Sequence, residues 1–122
     1  MVNYLWVFIG GGLGSICRYG LSSWTASLKI PFPLGTFLAN VLASLLLGFL
    51  LGLGTRHYLP TPLRFLLITG FCGGFSTFST FSSETYQLIT QGPPLMALWN
   101  VLLNVLICLV AVYFGVRVSE GV

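Results

Sequence analysis

The sequence predicts an all-α integral membrane protein of four transmembrane helices, and three observations carry that reading. Apolar residues make up 56% of the 122 and charged residues only 6%, whereas a soluble domain has about 25% charged residues to hydrate its surface. Four apolar stretches follow one another, each near the roughly 20 residues a helix needs to cross a bilayer. Proline- and glycine-rich turns separate them.

The first stretch runs from about Asn3 to Leu28. It is apolar from Val2 with no basic segment before it, so it reads as a retained helix and not a cleaved signal. Within IGGGLGSICRYG, Gly10 and Gly14 are four apart, the small-residue spacing that lets helix backbones approach closely in lipid. No strand precedes these glycines, which excludes a dinucleotide-binding loop. Arg18 lies roughly 22 Å along the helix from Asn3 at 1.5 Å per residue, close enough to one end to snorkel.

The second stretch, 34–54, opens after the turn signal KIPFP. Thr36, Asn40, Ser44, Gly48 and Gly52 recur every four residues and therefore share a face. Asn40 must meet protein or water, because an amide facing lipid is costly. It serves either as glue between helices or as a pore-lining group.

The third stretch, 62–91, is too long for one straight span. Its centre reads GFCGGFSTFSTFSSE. Gly70, Gly73 and Gly74 weaken the helix there, so a break is expected near 73–77. Backbone groups freed at membrane depth are tolerated only where they meet protein, water or an ion, and the Ser and Thr hydroxyls can re-satisfy some of them. Phe78 and Phe81 stack on one face if the helix resumes. They are either packing residues or rings whose electropositive edges meet an anion. Glu84 falls near the same end as Arg18 and Thr36, where an Arg18–Glu84 pair would neutralise two costly charges.

The fourth stretch, 95–118, carries Asn100, Asn104 and Cys108 at four-residue spacing. A second polar stripe argues for a hydrated track. The connections are short, so residues 1–122 form a single four-helix domain. Four such helices bury little away from lipid, and a pathway is easier to build between two copies.

Charge narrows the function classes. Glu84 and Glu120 are the only acids, and Arg18, Lys29, Arg56, Arg64 and Arg117 are scattered, which leaves a nucleic-acid interface no basic patch to rest on. Cys17, Cys72 and Cys108 are far apart and odd in number, which argues against a disulfide or thiolate metal site. His57 stands beside Arg56 with no acid or nucleophile near it in sequence, so nothing suggests an enzyme. The face holding both termini and the middle loop has three cationic residues (Arg56, Arg64, Arg117) and the other has two (Arg18, Lys29). Orientation follows the Lys/Arg asymmetry, which is nearly absent here. Insertion both ways round, and an antiparallel pairing of opposed copies, follow as expectations.

Three segments in order along the chain, GGGLGSICRY (10–19), PLGTFLANVLAS (33–44) and GFCGGFSTFSTFSSE (70–84), resemble the signatures of the Fluc fluoride-channel family, also called CrcB. The resemblance implies a passive, fluoride-selective channel in the inner cell membrane that exports fluoride from the cytoplasm and reduces its toxicity. It implies an antiparallel, dual-topology homodimer with two pores and a structural sodium ion on the two-fold axis. By motif, the sodium ligands would be the backbone carbonyls of Gly73 and Ser76 from both subunits. Phe78 and Phe81 match the rings lining the pores, Asn40 the pore-facing amide, and Ser79 and Thr80 the hydroxyls between the rings. Arg18, Thr36 and Glu84 match a polar network at the vestibule. The chain departs from the family at Ala43, where Gly is common, and at Leu45, where Phe is common. Its fourth-helix pore face has Asn100, Asn104 and Cys108 in place of aromatic or hydroxyl side chains. The main rival is a proton-coupled transporter of the small multidrug-resistance kind, which would need a titratable carboxylate within the membrane; the first helix has none and Glu84 sits toward a helix end.

Overall fold

The computed structural model describes residues 1–56 and 58–121; His57 lies outside the described residues. Helix α1 spans Val2–Ala26 and α2 spans Leu34–Thr55. A third helical path, Thr61–Gln91, is composite: α3 (Thr61–Leu63), a π-helical stretch (Arg64–Cys72), α4 (Gly73–Phe75) and α5 (Phe78–Gln91). Helix α6 spans Pro94–Glu120. The expected bounds differ from these by no more than two residues, as is usual where helix ends fray.

Three of these paths, Leu34–Thr55, Thr61–Gln91 and Pro94–Glu120, are long and apolar enough to cross a membrane. Helix α1 has the length, at 25 residues, but its glycines, serines and Arg18 dilute its hydropathy. Those residues have a packing use. A Cβ built on Gly70 would lie 2.9 Å from the Gly10 Cα, and one on Gly10 or Gly14 would run into the carbonyls of Leu66 or Phe71. Backbone meets backbone along this seam, as small residues permit.

This changes the role expected of Gly70, Gly73 and Gly74. No glycine among the described residues has a positive φ, and all three lie inside helical segments. Gly70 and Gly74 admit α1: a Cβ on Gly74 would come within 3.0 Å of Gly11. The non-helical residues are Ser76 (φ −76°, ψ 157°) and Thr77 (φ −152°, ψ 120°). Hydroxyls terminate one segment and start the next. Ser76 Oγ donates to the Cys72 carbonyl at 2.8 Å. Thr77 Oγ1 accepts from the Thr80 N–H at 3.2 Å, an N-cap for α5.

Helices α2 and α6 form a second close seam. A Cβ on Gly115 would lie 2.7 Å from the Phe49 nitrogen, and Ser119 is fully buried beside Gly52. The small core between the seams contains Ala39, Ala43 and Phe75, with Leu21 and Phe71 packed against it. After Ser76–Thr77 the path changes neighbours. The π-helical stretch and α4 pack on α1, whereas α5 packs on α6 and α2. That change of partner creates the cleft described next.

Candidate functional site

The site is built around Thr77. In a continuing helix its N–H would bond the Gly73 carbonyl. Instead it donates to Asn40 Oδ1 at 2.8 Å. Asn40 Nδ2 reaches the Thr77 carbonyl at 3.4 Å and donates to Asn104 Oδ1 at 3.1 Å. The amide of α2 thus grips the extended residue much as a neighbouring strand would. Thr80's N–H is likewise diverted to Thr77 Oγ1, so the Ser76 carbonyl loses the donor that a regular turn would have brought it. The Gly74 carbonyl accepts from Arg18 Nε at 3.1 Å.

A cleft of about 240 Å³ opens beside this junction, lined by Asn40, Ser44, Ser76, Thr77, Phe78, Phe81, Asn104, Val105 and Cys108. The rings of Phe78 and Phe81 are 5.6 Å apart between centroids and inclined by 44°. Phe78 is 79% exposed, so one wall of the cleft faces outward. Ser79 and Thr80 are not among the lining residues; their hydroxyls turn to Thr77, at 3.2 and 3.1 Å.

Nearer the other end of α5 lies a wider recess of about 420 Å³, lined among others by Ser22, Thr25, Thr36, Glu84, Gln87 and Gln91. Thr36 Oγ1 donates to Glu84 Oε1 at 2.8 Å, and Glu84 Oε2 is buried without a hydrogen-bond partner. Two of the three residues expected in a vestibule network therefore meet. Arg18 does not join them: the expected Arg18–Glu84 pair is absent, and the ion pair among the described residues is Arg117–Glu120 at 2.9 Å. The reason is geometric. A helical side chain slants toward its own N-terminus, which aims Arg18 back at Gly74, while α5 has left α1 by the level of Glu84.

Asn100 and Asn104 also separate in role. Asn104 is 5% exposed and reaches the cleft edge; Asn100 is 1% exposed, lies behind it, and donates to Thr85 Oγ1 at 2.9 Å. Sequence reasoning did not single out Thr77 or Thr85. Thr77 had a signal, a hydroxyl three residues before Thr80 at the start of a helical run, the pattern of an N-cap. Thr85 had none, because its importance comes from α6.

Three apolar helices, a cleft lined by amides and hydroxyls beside paired aromatic rings, and a helical path interrupted beside it define a multi-pass membrane protein with a polar site at an interhelical junction. Residues 5–116 match the family model described as CrcB-like protein, Camphor Resistance (CrcB), and the chain belongs to that family. Relatives named fluoride-specific ion channel FluC include those of Pyrococcus furiosus, 49% identical over 89% of both chains, and Pyrococcus abyssi, 47% identical over 91% of this chain and 90% of the relative. The FluC of Geotalea daltonii is 45% identical over 93% of this chain and 95% of its own length.

Proposed function

We propose that this protein is a passive fluoride-selective channel of the inner cell membrane, exporting fluoride from the cytoplasm and so limiting its toxicity. The observation that carries the reading is the cleft in which Asn40, Thr77 and Ser44 stand beside the paired rings of Phe78 and Phe81, in a chain 49% identical to a protein named for fluoride.

Fluoride is small and strongly hydrated, so a narrow route must replace its lost water with donors. The amide of Asn40, the Ser44 hydroxyl and the electropositive ring edges offer weak donors spread along the route. Conduction needs binding firm enough to admit an ion and weak enough to release it. Arg18 gives its Nε–H to the Gly74 carbonyl, which holds its side chain back along α1, where its charge adds positive potential. No ATP or catalytic chemistry is part of this scheme.

In this reading α1 is the fourth membrane span, carried across by its seam with the third, and Ser76–Thr77 lie at membrane depth. Two oppositely inserted copies pair, and the exposed face of Phe78 meets the partner, giving two pores. The carbonyls of Gly73 and Ser76 fit a structural sodium ion. The helical donor to each is diverted, Gly73 is exposed, and a Cβ there would meet nothing within 4 Å. Carbonyl oxygens are the hard ligands a sodium ion takes, and freed helix carbonyls serve this purpose in membrane proteins. The ion would supply fixed positive charge and a tie between the two interrupted helices.

Proteoliposomes loaded with fluoride and read with a fluoride electrode test the reading. Efflux should start when a potassium ionophore compensates charge. Equal chloride efflux would remove selectivity, and obligatory coupling to protons would favour the transporter class.

A further inference from the structure

We infer that Asn104, Asn100 and Thr85 are positioning residues that, together with the Thr77 N–H, hold the Nδ2 edge of the Asn40 amide toward an ion in the cleft. The inference rests on the cleft being a fluoride route, and it follows from a hydrogen-bond chain that can run in only one direction.

The direction is set at Thr77. Its N–H is a donor, so the Asn40 atom facing it at 2.8 Å is Oδ1, and Nδ2 must then face α6. There it meets Asn104 Oδ1 at 3.1 Å. Asn104 Nδ2 in turn donates to the Asn100 main-chain carbonyl at 2.9 Å and to Asn100 Oδ1 at 3.0 Å. Asn100 Nδ2 donates to Thr85 Oγ1 at 2.9 Å, whose own hydrogen goes to the Phe81 carbonyl at 2.7 Å. The chain thus leaves α5 at Thr77, crosses α2 and α6, and returns to α5 at Phe81.

Flipping any one amide would set oxygen against oxygen or N–H₂ against N–H₂. Asn100 and Asn104 are 1% and 5% exposed, so water is not there to absorb such a mismatch, and an unpaired buried polar group is costly. The weak link is the 3.4 Å contact from Asn40 Nδ2 to the Thr77 carbonyl, at the outer limit for a hydrogen bond. That hydrogen is the one an anion can take while the rest of the chain holds. Without Asn104, only the Thr77 N–H holds the amide, and the Nδ2 edge loses the acceptor that fixes its direction beside the cleft.

The test compares side chains of one shape. Asn104→Thr keeps a hydroxyl able to accept from Asn40 and donate to the Asn100 carbonyl; Asn104→Val has the same outline and no such group. Fluoride and chloride efflux are measured from the same vesicles, with wild type as the reference. The fluoride-to-chloride ratio of the Thr variant should exceed that of the Val variant by about tenfold, the worth of one well-made hydrogen bond. Equal ratios for the two variants would overturn the positioning role. If Asn104→Val does not assemble, Thr85→Ser against Thr85→Val asks the same question from the far end of the chain, with the same ordering expected and equality again overturning it. Failure of wild type to pass fluoride would be a separate outcome, removing the channel reading on which the inference stands.

Discussion

The side chain of Asn40 grips both polar groups of Thr77, taking its N–H on Oδ1 at 2.8 Å and approaching its carbonyl with Nδ2 at 3.4 Å. One amide on α2 thereby replaces the helical bond that the Thr77 N–H gives up, and it places an N–H at the edge of the cleft.

The two halves of that amide can be separated. Asn40→Leu leaves the Thr77 N–H and Asn104 Oδ1 unpaired, at about 1–3 kcal/mol for each buried group. Asn40→Asp keeps the acceptor for Thr77 and loses the donor. It also sets an oxygen against Asn104 Oδ1, so both variants should melt below wild type in detergent, and both should lose most fluoride efflux. An Asn40→Asp protein with normal flux would remove the amide hydrogen from the mechanism.

Phe81→Ile retains bulk and loses the electropositive ring edge. Fluoride efflux should slow while the protein elutes from a sizing column as before. Normal efflux would reduce the Phe78–Phe81 pair to packing.

The seam between α1 and the third path gives a paired prediction. A Cβ on Gly14 would strike the Phe71 carbonyl, whereas one on Gly12 would meet nothing within 4 Å. Gly14→Ala should destabilise by about 1–3 kcal/mol, the usual cost of overpacking. Gly12→Ala should be neutral or stabilise by up to about 1 kcal/mol, because alanine restricts the unfolded chain more. Thermal melts of the two variants check the ordering.

Arg18 and Glu84 should act independently. Arg18 serves the Gly74 carbonyl and Glu84 serves Thr36, so Arg18→Gln and Glu84→Gln share no partner. Their effects on stability should add to within about 0.5 kcal/mol. A larger coupling in the double-mutant cycle would mean that the two charges meet after all.

Sodium removal tests the proposed ion. Exchange into a bulky organic cation should lower the melting temperature and the fluoride flux, and sodium should restore both. The stabilisation should grow with the logarithm of sodium concentration, reaching about 2.7 kcal/mol at a hundred times the dissociation constant. A melt insensitive to sodium would leave the Gly73 and Ser76 carbonyls to another partner.

Much of this architecture was legible in the residues themselves. The scarcity of charge and the spacing of the prolines marked out the helical paths, though not the division of the third into separate segments. The segments around Gly10, Asn40 and Phe78 resembled the family to which the chain belongs. Asn40 and Asn104 could be read as needing polar partners, because lipid offers none. Which partners they take was not legible. The glycines of the third stretch looked like the site of the break, since glycine weakens helices; in the structure Gly70 and Gly74 lie against α1, Gly73 is exposed, and the hydroxyl residues Ser76 and Thr77 carry the non-helical backbone. Arg18 and Glu84 looked like a pair by depth along their helices, yet a change of direction at Thr77 carries α5 away from α1. A sequence records that a buried polar group must be satisfied. The crossing of helices, set by how closely their backbones approach, decides which neighbour satisfies it.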